Sequence, residues 1–133
     1  MLSLAVYKTI HFLGIFTLVT ALTATLARSA QSGASSGAAP AGASGGAALP
    51  DPWRKRLGIA HGAALFLILL AGFGMLAKLD VGFPGWAMAK VGIWLVAGGL
   101  IALRKKPSAA AWGVVVVPLL AALAGSIAYV KPF

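Results

Sequence analysis

Three ionisable side chains, His11, His61 and Lys90, interrupt otherwise apolar runs of this chain. A neutral imidazole can ligate a transition metal, hydrogen-bond across helices or carry a proton. A lysine amine at such a place either pairs with an anion or runs along its own stem to the interface. Ionisable groups inside apolar spans are functional candidates by default. Tyr7 stands about one helical turn before His11. Trp86 and Trp94 flank Lys90 four residues to either side, a cation between two indoles on one helical face. Met88 adds a thioether, a soft ligand. There is no cysteine and no glutamate, and the two carboxylates, Asp51 and Asp80, lie outside the apolar runs. Thiol redox chemistry and thiolate metal sites are therefore excluded. A transporter that moves ions through an intramembrane carboxylate lacks its central group.

The elements that must carry these residues are membrane spans. Of 133 residues, 60% are hydrophobic and 10% charged, with a mean hydropathy of +0.95. That is membrane composition, and the length allows one domain. Four apolar segments, at about 2–27, 54–77, 86–103 and 108–130, are each long enough to read as spans. The first carries Lys8 inside it and Arg28 after it, which is the charge order of a retained helix and not of a cleaved signal. Residues 29–50 are Ala, Gly and Ser with one Gln, one Leu and two Pro and no charge, and they read as a flexible linker. Asp51-Pro52-Trp53 reads as a helix start, with Asp51 as the cap. Gly58 and Gly62 form a GxxxG pair, and Ala121 and Gly125 repeat the spacing on the fourth helix; small residues so placed let backbones approach in lipid. Pro118 predicts a kink.

The expected fold is all-α, an integral membrane up-down-up-down four-helix bundle forming one transmembrane domain over residues 1–133. Arg28, Arg54, Lys55, Arg56, Arg104, Lys105 and Lys106 fall on the side of loops 1–2 and 3–4, against Lys78, Lys131 and Lys8 on the other. These loops and the linker are therefore expected to be cytoplasmic, with both termini extracytoplasmic, in the inner (plasma) membrane. The net charge of +9 is a topology signal on this reading, and nucleic acid is not an expected partner.

With that topology, helix centres near Ile15, Leu65 and Leu95 put His11 roughly 6 Å outward of the midplane, Lys90 roughly 7 Å outward and His61 roughly 6 Å inward. The two histidines occupy different layers, about 12 Å apart, whereas His11 and Lys90 are level. Met88 and Lys90 point about 200° apart on the third helix, so both cannot face one cavity. The sequence leaves the inward face of that helix open. His61, beside Gly58 and Gly62, reads first as an interhelical hydrogen-bonding group and only second as a ligand.

The Tyr7-Lys8-x-x-His11-Phe12-Leu13-Gly14 opening, the Gly72-Phe73-Gly74-Met75-Leu76 end of helix 2 and Gly85-Trp86-x-x-x-Lys90 on helix 3 form a set. It resembles small bacterial membrane proteins related to the HemJ-type protoporphyrinogen oxidases and the CopD-type copper-resistance proteins. The resemblance covers helices 1 to 3. It implies a haem b site in the outer half of the bundle, with His11 and Lys90 standing where the HemJ-type proteins carry a helix-1 histidine and a helix-3 lysine.

Three functions follow as expectations. The first is a haem b-binding, redox-linked membrane protein with His11 as iron ligand, Lys90 and Tyr7 orienting propionates or tuning the site, and either Met88 or no residue as the second ligand. The second is a non-catalytic membrane subunit or assembly protein, packing as a homo- or hetero-oligomer through Gly- and Ala-rich faces in the lipid bilayer. The third is copper handling through His11 and methionine.

Overall fold

The computed structural model describes residues 2–36 and 52–130. Helix α1 runs over Leu4–Ser36, α2 over Pro52–Leu79, α3 over Gly85–Gly99 and α4 over Pro107–Val130. A 3-10 segment, Leu100–Lys105, continues α3. No strand occurs among the described residues. Four spans, Leu4–Gln31, Pro52–Leu79, Gly85–Lys105 and Pro107–Val130, are long and apolar enough to cross a membrane. The chain is a small polytopic four-helix membrane protein.

Helical periodicity chooses the packed faces. On α1 the buried residues are Leu18, Ala21, Leu22, Thr25 and Leu26, an i, i+3, i+4, i+7, i+8 stripe. Ala110, Gly113 and Val117 make the matching stripe on α4. Leu22, Leu26, Ala110 and Val117 form the core, with Leu100, Ile101 and Leu103 of the 3-10 segment packed against it. The opposite faces stay open, with Phe12, Phe16, Phe66, Leu70, Trp112, Leu119 and Leu123 all exposed. Such faces would be aggregation surfaces in water; in a bilayer the acyl chains cover them.

Among the described residues α1 packs on α2 and α4, and α3 packs on the same two helices, so α1 and α3 are diagonal. The close crossings are made by glycine. A Cβ on Gly14 would lie 2.8 Å from Ile68 Cγ1 and 3.3 Å from the Ala64 carbonyl oxygen, and one on Gly113 would lie 2.6 Å from Leu26 Cδ1. The GxxxG pair expected to do this does not: Cβ atoms on Gly58 or Gly62 meet nothing within 4 Å, and the same holds for Gly125. Spacing marks where a close approach is allowed, but the wheel position relative to neighbouring helices decides whether one occurs.

Two boundaries differ from the sequence expectation. The chain stays helical through Ser36, so residues 29–36 are helix and not linker. Ala30 packs against the core and carries the helix past Arg28, while the Ser29 hydroxyl donates back to the Thr25 carbonyl at 3.0 Å. The rest of the expected linker, residues 37–50, and the expected cap Asp51 lie outside the described residues. Helix 3, expected as one α-helix over 86–103, is α-helical only to Gly99. Lys106 then takes an extended conformation at φ −126°, as a residue before proline must, and its N–H closes on the Leu103 carbonyl at 2.9 Å. The turn from α2 to α3 uses Asp80 at φ 52° and Gly82 at φ 65°, left-handed conformations that Asp tolerates and Gly adopts freely. Phe83 closes this turn by meeting Phe73 edge to face, with centroids 5.7 Å apart.

Candidate functional site

The antiparallel α1–α2 contact builds the first half of the site. Close packing at Gly14 brings the preceding turns of α1 against Ile68–Gly74 of α2. His11 Nδ1 lies 3.0 Å from the Ile68 carbonyl oxygen. A carbonyl only accepts, so Nδ1 carries the proton and donates it, and in the neutral ring Nε2 holds the lone pair. Gly72 seats the ring: a Cβ there would be 3.6 Å from His11 Cε1 and 3.8 Å from Nδ1. Gly74 seats Tyr7 more tightly, since a Cβ would fall 2.7 Å from Tyr7 Cδ1 and 2.9 Å from Cζ. The two glycines near the end of α2 are thus platforms for α1 side chains, spaced to receive residues one turn apart.

Helix α3 supplies the second half, and the face left open by the sequence is the Trp86–Lys90–Trp94 face. Trp94 Nε1 donates to the Leu65 carbonyl of α2 at 2.9 Å, Ala87 is buried, and Met88, Leu95 and Val96 are exposed on the opposite side. Lys90 is half-buried, and its Nζ lies 4.9 Å from the centre of the Trp86 ring. The two indoles therefore divide the work: Trp86 holds the cation, while Trp94 spends its N–H on the backbone of α2. From that position Lys90 lies within electrostatic range of the His11 ring. The structure thus gathers His11, Tyr7 and Lys90 in one half of the bundle. It leaves Met88 outside this cluster, 54% exposed on the outward face.

His61 is placed apart. It lies seven residues along α2 from Ile68, about 10 Å toward the other end. It is 4% exposed, and both ring nitrogens are buried without a hydrogen-bond partner. The Gly98 carbonyl lies nearby without completing a hydrogen bond, and Arg104 is within electrostatic range. His61 does face α3 at the level of Gly98, the interhelical position expected of it. A separate shallow groove, lined by Phe16, Thr17, Thr20, Ala21, Leu57 and Ala60, opens outward between α1 and α2.

The carbonyls of Ile68 and Leu65, which fix the orientations of His11 and Trp94, could not be read from the sequence, because every residue carries the same acceptor. Gly72 and Gly74 were legible as small residues but not as ring seats. Among the described residues no three His, Asp or Glu side chains come together. The donor set is one imidazole with a defined tautomer, one phenol and one ammonium held on an indole.

Comparison with family models, curated proteins and solved structures finds no match for this chain.

Proposed function

We propose that the protein binds haem b in the half of the bundle that holds His11, with the His11 imidazole as the iron ligand. The observation that carries this reading is the His11–Ile68 hydrogen bond. Ligating histidines characteristically donate their second ring nitrogen to a carbonyl or carboxylate, which fixes the tautomer and ring plane and raises the basicity of the ligating nitrogen. Here Nδ1 is committed to Ile68, and Nε2 is the nitrogen with a lone pair to give. The residues present also fit the rest of a porphyrin: Lys90 offers a positive charge to a propionate, Tyr7 a hydroxyl, and the surrounding helices an apolar medium. When bound, haem b supplies one-electron chemistry.

The chain's own contribution is orientation and electrostatics. Ile68 and Gly72 fix the imidazole, Trp94 fixes the rotation of α3, and Trp86 holds the ammonium of Lys90. Met88 is removed from the ligand set, since it faces outward, and His61 serves another layer. The protein sits in the inner membrane of a bacterial cell on this reading, with the basic end cytoplasmic and the His11 end outward, as the lysine and arginine bias supports. The test is expression with haem supplementation. A Soret band that is retained through purification and lost in His11→Ala is expected; a colourless wild-type protein overturns the proposal.

A second reading, a non-catalytic subunit, draws on Gly58, Gly62, Gly92 and Gly125, which face open space and would admit a helix of another chain. Copper handling draws on no more than His11 and the methionines.

A further inference from the structure

The end of the bundle away from His11 carries seven cationic side chains, Arg28, Arg54, Lys55, Arg56, Arg104, Lys105 and Lys106, against one carboxylate in the neighbouring sequence, Asp51. Orientation in the membrane requires only that such charges lie in the flanking loops. The structure does more than that: it sets most of them at one level on two elements, the start of α2 and the 3-10 segment after α3. Trp94 against Leu65 sets the antiparallel register of α2 and α3, and His61 lies level with Gly98 in the same register. Followed toward the basic end, that register brings Arg54, Lys55 and Arg56 level with Arg104, Lys105 and Lys106. Trp53 and Arg56 stack at 5.4 Å, which marks this level as the membrane interface and directs the Arg56 guanidinium along it.

Arg104 is the deep member of the group. It is half-buried, because the 3-10 segment that bears it packs on the core through Leu100, Ile101 and Leu103. From there its charge reaches His61, a buried imidazole with two unpartnered nitrogens. Lys105 and Lys106 are exposed beside it, as are Arg54, Lys55 and Arg56. The only acidic residue among the described residues is Asp80, in the turn at the opposite end. A half-buried guanidinium at an interface, followed by two exposed cations and level with three more on α2, is an anion site, and the anion available at that depth is the phosphate of a lipid headgroup.

We propose that this end of the bundle binds the headgroup of an anionic phospholipid, with Arg104 as the deep phosphate contact and Arg54–Arg56, Lys105 and Lys106 as the rim. The site is independent of haem and requires only that the chain spans a bilayer. A fixed anionic lipid there would bridge the start of α2 and the 3-10 segment, which packs on α1 and α4 and does not touch α2.

The test uses the full chain in a neutral detergent, with the unfolding temperature and lipid retention measured against phosphatidylglycerol, phosphatidylcholine, inorganic phosphate and a short single-stranded oligonucleotide. Phosphatidylglycerol is expected to be retained and to raise the unfolding temperature, less so at high salt, while the other three are not. Each basic residue removed from the rim is expected to weaken retention on the order of fivefold. Lys105→Gln/Lys106→Gln and Arg54→Gln/Lys55→Gln alter exposed residues and keep the test readable if Arg104→Gln fails to fold. Lys8→Gln/Lys78→Gln, at the other end, is expected to change nothing. Equal retention of phosphatidylcholine, an equal response to phosphate or oligonucleotide, or an equal loss in the Lys8/Lys78 variant overturns the proposal.

Discussion

His11 and Ile68, 57 residues apart in the chain, are joined by a 3.0 Å hydrogen bond from Nδ1 to a main-chain carbonyl oxygen. A helix carbonyl already accepts from the N–H one turn on, so the imidazole uses its second lone pair, with the ring lying against Gly72. The bond fixes both the ring plane and the tautomer.

The bond separates ligation from packing. His11→Ala is expected to abolish the Soret band of haem-supplemented protein while lowering stability by only about 1 kcal/mol, the usual worth of one such hydrogen bond. Absorbance spectra and denaturant unfolding of the same preparations check this. A haem spectrum that survives the substitution shows that the ligand lies elsewhere.

Lys90 gives a charge test. Lys90→Met keeps much of the stem on Trp86 and removes the ammonium. Haem retention is expected to fall about tenfold, in keeping with one charge-assisted hydrogen bond of 1.5–3 kcal/mol partly made to solvent, whereas Lys90→Arg retains most of it. Haem titration of apoprotein reads the difference, and identical affinities for all three proteins count against a propionate role.

Trp94→Phe removes one donor and keeps an aromatic ring of similar reach. The Leu65 carbonyl loses its second donor, α3 loses its rotational anchor, and stability is expected to fall by about 1 kcal/mol. The Soret maximum should shift with it if Lys90 depends on that rotation. A loss of stability without any spectral change would assign Trp94 to packing alone.

His61→Leu is expected to stabilise the protein, against the usual direction for a buried site. Both imidazole nitrogens are buried without partners, and leaving such groups unpaired costs about 1–3 kcal/mol, which an apolar side chain of similar volume does not incur. Thermal unfolding in detergent decides it, and a clear destabilisation would mean that the ring has a partner in the working protein.

The glycines divide into two classes. Gly14→Ala is expected to destabilise by about 1–3 kcal/mol, because its Cβ meets Ile68 and the Ala64 backbone, whereas Gly58→Ala and Gly62→Ala have room and gain helix propensity. If the Gly58 and Gly62 variants leave the chain folded but change its oligomeric state on light scattering, the subunit reading gains; unchanged size counts against it.

Four spans and the different layers of the two histidines were legible because run length and rise per residue depend on sequence alone. The level match of His11 and Lys90 was legible for the same reason. The inward face of α3 was not, since its two sides are nearly equally apolar and only the Trp94–Leu65 bond distinguishes them. The crossing at Gly14 has no spacing signal, since Ile10 and Leu18 stand four residues to either side, and the Ala109–Gly113 pair at the other crossing looks the same in sequence as Gly58–Gly62, which faces open space. The helical extension to Ser36 was missed because alanine and serine suit a linker and a helix end alike.

The switch from α to 3-10 geometry at Leu100 also bears on membrane thickness. Fifteen α-helical residues from Gly85 to Gly99 cover about 22 Å, short of a hydrocarbon core of about 30 Å. Six further residues cover about 12 Å at the 3-10 rise, against about 9 Å as α-helix. The shortest span of the bundle is thus lengthened by about 3 Å without an added residue, by tighter winding into 3-10 geometry at one end. A thinner bilayer removes the need for that stretch, so bilayer thickness acts on the pitch of Leu100–Lys105 before it acts on any other part of the chain.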